Sequence, residues 1–243
     1  CSGIHKDQPT RTLLNEPNID TRRRVVCFRL GRSLFHPRVQ IESSTFMQHK
    51  YSMSFTSGTL LPRESLVVAE LFAELNDWDA VRERIVAGNL LQMRTDNASR
   101  RITSEVTSRL KTLSGDELSV LCEGSRDEQR LLLWLAVCKR YRFIYDFAVE
   151  VVREKFLRLD MTLTHEEYDI FFNKKAEWHP EVEGVAPSTQ AKQRQVVFKM
   201  LREADLLLDD GCIQPPIFTL RLIEAIRADD PAYFAIYPGH VGA

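Results

Sequence analysis

Apolar residues spaced four positions apart over residues 96–110 constrain the fold of this chain most. Ala98, Ile102, Val106 and Leu110 form an unbroken i, i+4 series, which is typical of a helix with one face against a core. At about 100° per residue, the opposite face carries arginines and short polar side chains. These are Asn97, Arg100, Arg101, Ser104 and Ser108, with Arg94 and Thr95 just before the helix. The pattern predicts an amphipathic helix with a basic outer face.

A second helix of the same design is predicted over residues 189–204. Its inner stripe contains Val197, Met200, Leu201 and Ala204. The face opposite that stripe is again polar and basic, and it carries Ser188, Lys192, Gln195, Lys199 and Arg202. The chain therefore repeats one kind of surface on two separate helices.

The net positive charge of these two helices indicates what they bind. Residues 94–111 carry a net charge of +3 and residues 190–202 carry +4, the latter with no acidic residue. An ordinary solvated helix mixes both signs and favours acids in its first turn. The major groove of DNA is about 12 Å wide, admits one helix, and offers phosphates and base edges to such donors. We therefore predict that both faces bind double-stranded DNA. The alternative is that both are ordinary solvated faces.

The net charge of the whole chain does not by itself indicate DNA binding. The formal net charge is −1, because +5 in the first 50 residues is offset by −6 in residues 51–243. Nucleic-acid-binding domains usually have a basic surface overall. Binding through local basic patches on an acidic body predicts modest affinity and strong salt sensitivity.

Residues 1–46 differ from the rest of the chain. They have no sustained apolar period, they contain the run Arg22-Arg23-Arg24, and prolines are scattered among polar residues. This composition is typical of a poorly ordered extension, and we expect the folded part to begin at Met47. The alternative is a basic arm that contacts nucleic acid.

From Tyr51 onward the pattern predicts an all-α fold with two helix-turn-helix units. Helices are expected at 62–75, 77–87, 126–141, 143–157, 165–176 and 219–228, with capping pairs before several of them. An Asp-Gly turn within residues 206–213 predicts a short β-hairpin. A helix, a connector, a basic helix and a hairpin follow the order of a winged helix-turn-helix. We expect two helical domains, residues 47–125 and 126–243, each with one helix-turn-helix.

No catalytic or cofactor motif is visible in the sequence. Glycine-rich phosphate loops and C-x-x-C pairs are absent, so no cofactor is expected. Glu177, His179, Glu181 and Glu183 lie close together in the sequence, and a metal-dependent nuclease would use such a cluster.

The cysteines are odd in number and widely spaced, which predicts buried free thiols in a reducing compartment: Cys1, Cys27, Cys122, Cys138 and Cys212. The longest apolar run is eight residues, 131–138, so we expect a cytoplasmic protein without a membrane span.

Residues 51–243 contain several ungapped blocks that carry a family resemblance. The blocks are YSMSFTSG at 51–58, NDWD at 76–79, NLLQ at 89–92 with Arg94-Thr95, LWLAVCKRY at 133–141 with Phe143-Ile144, and FNKKAEWHP at 172–180. Together they resemble the BrxA family of BREX (bacteriophage exclusion) systems. The similarity extends over about four-fifths of the chain, and residues 1–46 take no part in it.

This resemblance implies an all-helical, monomeric protein that binds double-stranded DNA in a phage-defence system and has no catalytic activity. Two other functions remain open. One is a scaffold that binds other BREX proteins, with the basic faces serving acidic protein partners. The other is a metal-dependent nuclease.

Overall fold

Helices dominate residues 50–239, the part of the chain described by the structure, which is a computed structural model. The α-helices are α1 (Pro62–Leu75), α2 (Trp78–Gly88), α3 (Asp96–Leu110), α4 (Gly115–Glu123), α5 (Arg126–Arg140), α6 (Arg142–Phe147), α7 (Glu154–Leu157), α8 (His165–Ala176), α9 (Pro180–Glu183), α10 (Pro187–Glu203) and α11 (Leu220–Asp229). The all-α prediction is confirmed. The expectations for residues 1–46, and for Cys1 and Cys27, lie outside the described residues.

Local capping signals set the starts of several helices. Asp77 precedes α2, and its side chain accepts a hydrogen bond from the backbone N–H of Asp79 at 2.8 Å. Reciprocal capping boxes pair Ser114 with Glu117 and Ser125 with Glu128. Each box satisfies two backbone N–H groups that the first turn of a helix leaves unpaired. The predicted starts of α2, α4 and α5 are confirmed.

Three helical segments have no counterpart in the sequence prediction. Residues 143–157, expected as one α-helix, contain a π-helical segment at Ala148–Arg153 between α6 and α7. The short helix α9 and a 3₁₀ helix at Pro231–Ile236 are additional. Each is at most six residues long, which is too short for a hydrophobic period to be recognised.

Helix α5 forms the centre of the core. All residues from Leu131 to Cys138 are buried, and the indole N–H of Trp134 donates to the Ile236 carbonyl at 3.4 Å. The ring of Phe143 lies 5.1 Å from that of Phe171. The predicted central position of this apolar stretch is confirmed.

An extended segment at residues 51–61, here called the entry segment, runs through this core. Tyr51, Phe55 and Leu60 on it are almost completely buried. The Tyr51 hydroxyl donates to Asp146 Oδ2 at 2.6 Å, and its backbone N–H donates to Glu181 Oε1 at 2.7 Å. Burial, followed by the hydrogen bond to Asp146, raises the pKa of Tyr51 well above its usual range.

The C-terminal half of the chain also holds the entry segment. On α10, Gln193 Nε2 donates to the Met53 carbonyl at 2.6 Å, and Glu203 Oε2 accepts from the Leu60 N–H at 2.8 Å. The entry segment, which belongs to the expected domain 47–125, therefore packs against α10 of the expected domain 126–243. The division into these two domains stays a prediction.

The predicted hairpin wing is wrong. Within the described residues, 206–213 contribute only isolated antiparallel bridges, Leu207 with Ile213 and Thr162 with Cys212. The turn itself forms, and Gly211 N–H donates to the Leu208 carbonyl at 3.0 Å with a φ of 86° at Gly211. Leu206, Leu207 and Ile213 face the core, so the segment packs mostly inward as a corner, with Leu208 exposed, and does not extend into solvent as two strands.

The described cysteines are free thiols, but their burial varies. Cys138 is buried, as predicted, whereas Cys122 and Cys212 are only partly buried, which corrects that expectation. Burial raises the pKa of the Cys138 and Cys122 thiols.

None of the helices in residues 50–239 combines the length and apolar character needed to cross a membrane.

Candidate nucleic-acid interface

Helix α3 is held by α1, α2 and α5, which pack against it. Thr95 caps its first turn by accepting the Ala98 N–H at 3.2 Å. Ile102, Val106 and Leu110 are buried and Ala98 is half-buried. The predicted inner stripe is therefore confirmed, and it fixes which side of the helix faces solvent.

The outer face of α3 is open along most of its length. Asn97, Arg100, Arg101 and Ser104 are exposed, as are Arg94 and Thr95 at the helix start. Ser108 is half-buried, and its hydroxyl donates to the Glu105 carbonyl at 2.8 Å. Among residues 50–239, no acidic side chain forms an ion pair with Arg94, Arg100 or Arg101. The hydrogen-bonding capacity of these arginines is therefore available to a ligand.

Arg109, which contributes to the +3 charge of this region, has a different environment. It is buried, with Nε donating to Glu105 Oε1 at 2.8 Å and Nη1 donating to the Thr59 carbonyl. The Tyr141 hydroxyl donates to the same Glu105 oxygen at 2.6 Å. Burial, followed by this hydrogen bond, raises the pKa of Tyr141 to about 12. Through its hydrogen bond to the Thr59 carbonyl, Arg109 therefore joins the entry segment to α3. It is not part of the exposed basic face.

A groove of about 770 Å³ runs between α2 and α3 beside this face. Arg82 and Arg100 line it together with the acidic residues Asp79 and Glu83. Arg82 is paired with Asp79 at 3.2 Å on α2. The groove is therefore of mixed charge, and the basic character belongs to α3.

Helix α10 begins with Pro187, a residue whose fixed φ suits the first helical position. Val197, Met200, Leu201 and Ala204 are buried, which confirms the predicted inner stripe. On the outer face, Ser188, Lys192, Gln195 and Lys199 are exposed and Arg202 is half-buried. The orientation of both helices was therefore predicted from the sequence.

The cations of α10 are mostly paired with acids from outside the 190–202 window. Lys199 lies 3.8 Å from Glu203, and Arg202 Nε lies 3.6 Å from Asp209 Oδ1. Arg194 pairs with Asp169 of α8. Lys192 has no ion pair with any residue of 50–239. The sequence window excluded these acids, so its charge of +4 exceeds the charge that the surface presents.

The connections that precede α3 and α10 are ordered but longer than a tight turn. Asn89 ends α2 in the left-handed conformation, and its side chain accepts from the Met93 N–H at 2.9 Å. Arg63 Nη2 donates to Gln92 Oε1 at 2.7 Å. The connection from α8 to α10 contains α9. Both exceed the three- or four-residue turn of a tight helix-turn-helix.

The acidic cluster considered for metal binding has other contacts. Glu181 accepts from the Tyr51 N–H and lies 3.4 Å from His179 Nδ1, and these contacts lower the pKa of Glu181 against the effect of burial. The Tyr51 and His179 rings are 4.2 Å apart. Within residues 50–239, no three His, Cys, Asp or Glu side chains are placed to hold a metal ion.

Comparison with known proteins supplies the family. A family model described as BrxA matches residues 49–230. The chain belongs to the BrxA family. "BREX protein BrxA" of Escherichia coli O9:H4 (strain HS) is 31% identical over 147 residues, which span 60% of this chain and 69% of that protein. "BREX protein BrxA" of Bacillus cereus (strain H3081.97) is 28% identical over 163 residues, 65% of this chain and 82% of that one.

The fold of this BrxA-family chain also resembles a solved structure. The crystal structure of an uncharacterized protein from Magnetospirillum magneticum matches with a TM-score of 0.68 and 22% identity. The match covers 77% of this chain and 98% of that one. At this identity, the likeness concerns the fold alone.

Proposed function

We propose that this chain serves a BREX phage-defence system by binding double-stranded DNA, without catalysing a reaction on it. The observation that carries the proposal is the outer face of α3, where Arg100 and Arg101 are exposed and have no ion pair with any described residue. Membership of the BrxA family supports the defence role.

The shape of the α3 face suits a DNA groove. Arg100 and Arg101 are flanked by the short side chains of Asn97 and Ser104, all on one side of a 15-residue helix. Short neighbours let a helix approach the duplex closely, while flexible arginines reach phosphates and base edges. In this proposal α2 and α3 act as the first helix-turn-helix, with α3 in the groove.

Helix α10 is proposed as a second and weaker contact, following α8 in the second helix-turn-helix. Ser188, Lys192 and Gln195 are exposed on its N-terminal half. Backbone N–H groups at a helix N-terminus favour phosphate, and Lys192 adds an unpaired cation there. The paired Lys199 and Arg202 near the other end contribute less, because each already has a carboxylate close by.

The test is a binding titration of the full chain with a fluorescently labelled DNA duplex at two salt concentrations. We expect Arg100→Ala with Arg101→Ala to weaken binding roughly thirtyfold, since two charge-assisted contacts of about 1 kcal/mol each are lost. The salt slope should also fall by about one per phosphate contact removed.

A matched control removes two other exposed arginines, Arg126→Ala with Arg227→Ala, which lie on α5 and α11. This variant carries the same change in net charge and should bind as the parent does. Equal losses of affinity in both double variants would show that only the net charge of the chain matters and would contradict a specific α3 interface.

The DNA duplex should stay intact when it is incubated with the chain and Mg²⁺, whereas cleavage would favour the nuclease alternative.

A further inference from the structure

A second surface of the molecule, unrelated to the basic helices, has the features of a protein-docking groove. It lies between the N-terminal part of α5, the chain just after α10, and the segment that leads to α11. Its volume is about 360 Å³. The lining residues are Asp127, Leu131, Ala204, Asp205, Leu208, Gln214, Pro215, Pro216 and Ile217.

The groove combines a buried apolar floor with an exposed apolar rim. Leu131 and Ala204 at the floor are nearly inaccessible, whereas Leu208 is 47% exposed and Ile217 is 89% exposed. A single exposed apolar residue needs no explanation, but two that border one concavity are typical of an interaction site.

The exposure of Ile217 does not come from a loosely held loop. Pro215 and Pro216 restrict the backbone before it, and the Gln214 N–H donates to the Leu206 carbonyl at 3.0 Å. On the other side, Phe218 packs on Tyr237 with ring centroids 5.0 Å apart, and the Thr219 hydroxyl donates to Glu128. The isoleucine is therefore presented in a fixed position, which lowers the entropy lost on binding.

The charges at the groove are acidic. Two of the nine lining residues, Asp127 and Asp205, are aspartates and none is basic. Asp205 pairs with Arg130. Asp127 has no ion pair with any residue of 50–239. This sign disfavours nucleic acid and favours a cationic partner.

We propose that this groove docks a segment of a different protein in which apolar anchor side chains alternate with lysine or arginine. The apolar anchors fill the space between Leu208 and Ile217 above Leu131, and the cations lie against Asp127 and Asp205. Binding combines buried apolar anchors at the centre with charges at the rim. The groove uses none of the residues assigned to DNA, so the two binding activities are separable.

The test uses three short fluorescein-labelled synthetic peptides of equal length, with fluorescence anisotropy as the readout on the full chain. One alternates leucine with lysine, the second replaces each leucine by serine, and the third replaces each lysine by glutamate. We expect the leucine–lysine peptide to bind at least about tenfold more tightly than either control, because each control removes one of the two interactions.

Matched variants locate the binding on the protein. Ile217→Ser should weaken the leucine–lysine peptide about tenfold, whereas Ile170→Ser, which removes another exposed isoleucine on α8, should leave it unchanged. Asp127→Asn with Asp205→Asn should reduce the salt dependence of peptide binding. Arg100→Ala with Arg101→Ala should leave peptide binding intact, so a failure of the DNA proposal would not affect this one.

Three results would overturn the proposal. Equal affinity for all three peptides would show that no site discriminates them. An equal loss on Ile170→Ser would place the peptide elsewhere. A concentration-dependent dimer in sedimentation that Ile217→Ser dissociates would show that the groove serves a second copy of this chain.

Discussion

Helices α3 and α10 present the same pattern of side chains, but their surroundings differ. On α3 the exposed cations Arg94, Arg100 and Arg101 have no ion pair with any residue of 50–239, and the one paired arginine, Arg109, is buried. On α10 two of the three cations on the outer face, Lys199 and Arg202, have carboxylates nearby, and Lys192 has no ion pair with any residue of 50–239. The two helices therefore offer unequal surfaces to a polyanion.

This difference shows that the charge of a helix face depends on neighbouring elements as much as on its own sequence. Glu203 is the last residue of α10, and Asp209 follows that helix in the corner at residues 206–213. Exposed ion pairs contribute less than about 1 kcal/mol each to stability, yet they partly neutralise cations that would otherwise contact phosphate. We therefore expect α3 to dominate DNA binding.

The largest expected effect separates the two kinds of arginine on α3. Arg109→Ala should reduce the free energy of unfolding by about 3–5 kcal/mol, because it leaves the Glu105 carboxylate, whose side chain is only 11% exposed, without its ionic partner. Urea denaturation followed by circular dichroism measures this. Arg101→Ala, on the exposed face, should change stability by less than about 0.5 kcal/mol. Similar values for both would contradict the structural role of Arg109.

The next effect tests whether the two helices act on one duplex. A variant that combines Arg100→Ala and Arg101→Ala with Lys192→Ala and Lys199→Ala should lose DNA affinity by on the order of a hundredfold, far more than either pair alone. This is close to the product of the separate losses, because both faces contribute to one binding event when they engage the same duplex. Anisotropy titration gives the comparison. A loss equal to that of the α3 pair alone would remove α10 from the interface.

A smaller effect is expected for α10 by itself. Lys192→Ala with Lys199→Ala should weaken DNA binding roughly fivefold, since only one of the two lysines is unpaired and each phosphate contact contributes about 1 kcal/mol or less. The same titration measures it. If this variant lost more than the α3 double variant, the ranking of the two faces would be wrong.

The smallest effect acts in the opposite direction. Asp209→Asn should strengthen DNA binding about twofold, because it releases Arg202 and removes a repulsive charge beside α10. Asp116→Asn, an exposed change of equal charge on α4, serves as its control and should have no effect. Unchanged affinity for both would mean that this end of α10 does not approach the DNA.

Much of the architecture could be read from the sequence because it depends on local chemistry. The i, i+4 stripes of α3 and α10 and the capping pairs at Ser114 and Ser125 act within one or two helical turns. The outward orientation of Arg100 and Lys192 follows from these stripes. The outer faces of both helices were therefore predictable in position.

What the sequence did not reveal depends on contacts between distant residues. The burial of Arg109 requires the Thr59 carbonyl and Tyr141, and the pairing of Arg194 requires Asp169 on another helix. The predicted hairpin wing failed for a similar reason, since Leu206, Leu207 and Ile213 pack into a core assembled from other helices. Periodicity carries no information about such partners.

The entry segment has a consequence for the order in which the molecule is made. Its hydrogen bonds join residues 130, 140 and 143 positions apart, Tyr51 to Glu181, Met53 to Gln193 and Leu60 to Glu203. During synthesis at about 5–20 residues per second, this segment leaves the ribosome many seconds before its partners exist. Contacts this distant slow folding. The support of α3 is therefore completed only when α10 has emerged, so a truncated or stalled chain would lack a finished α3 face, the face proposed to bind DNA.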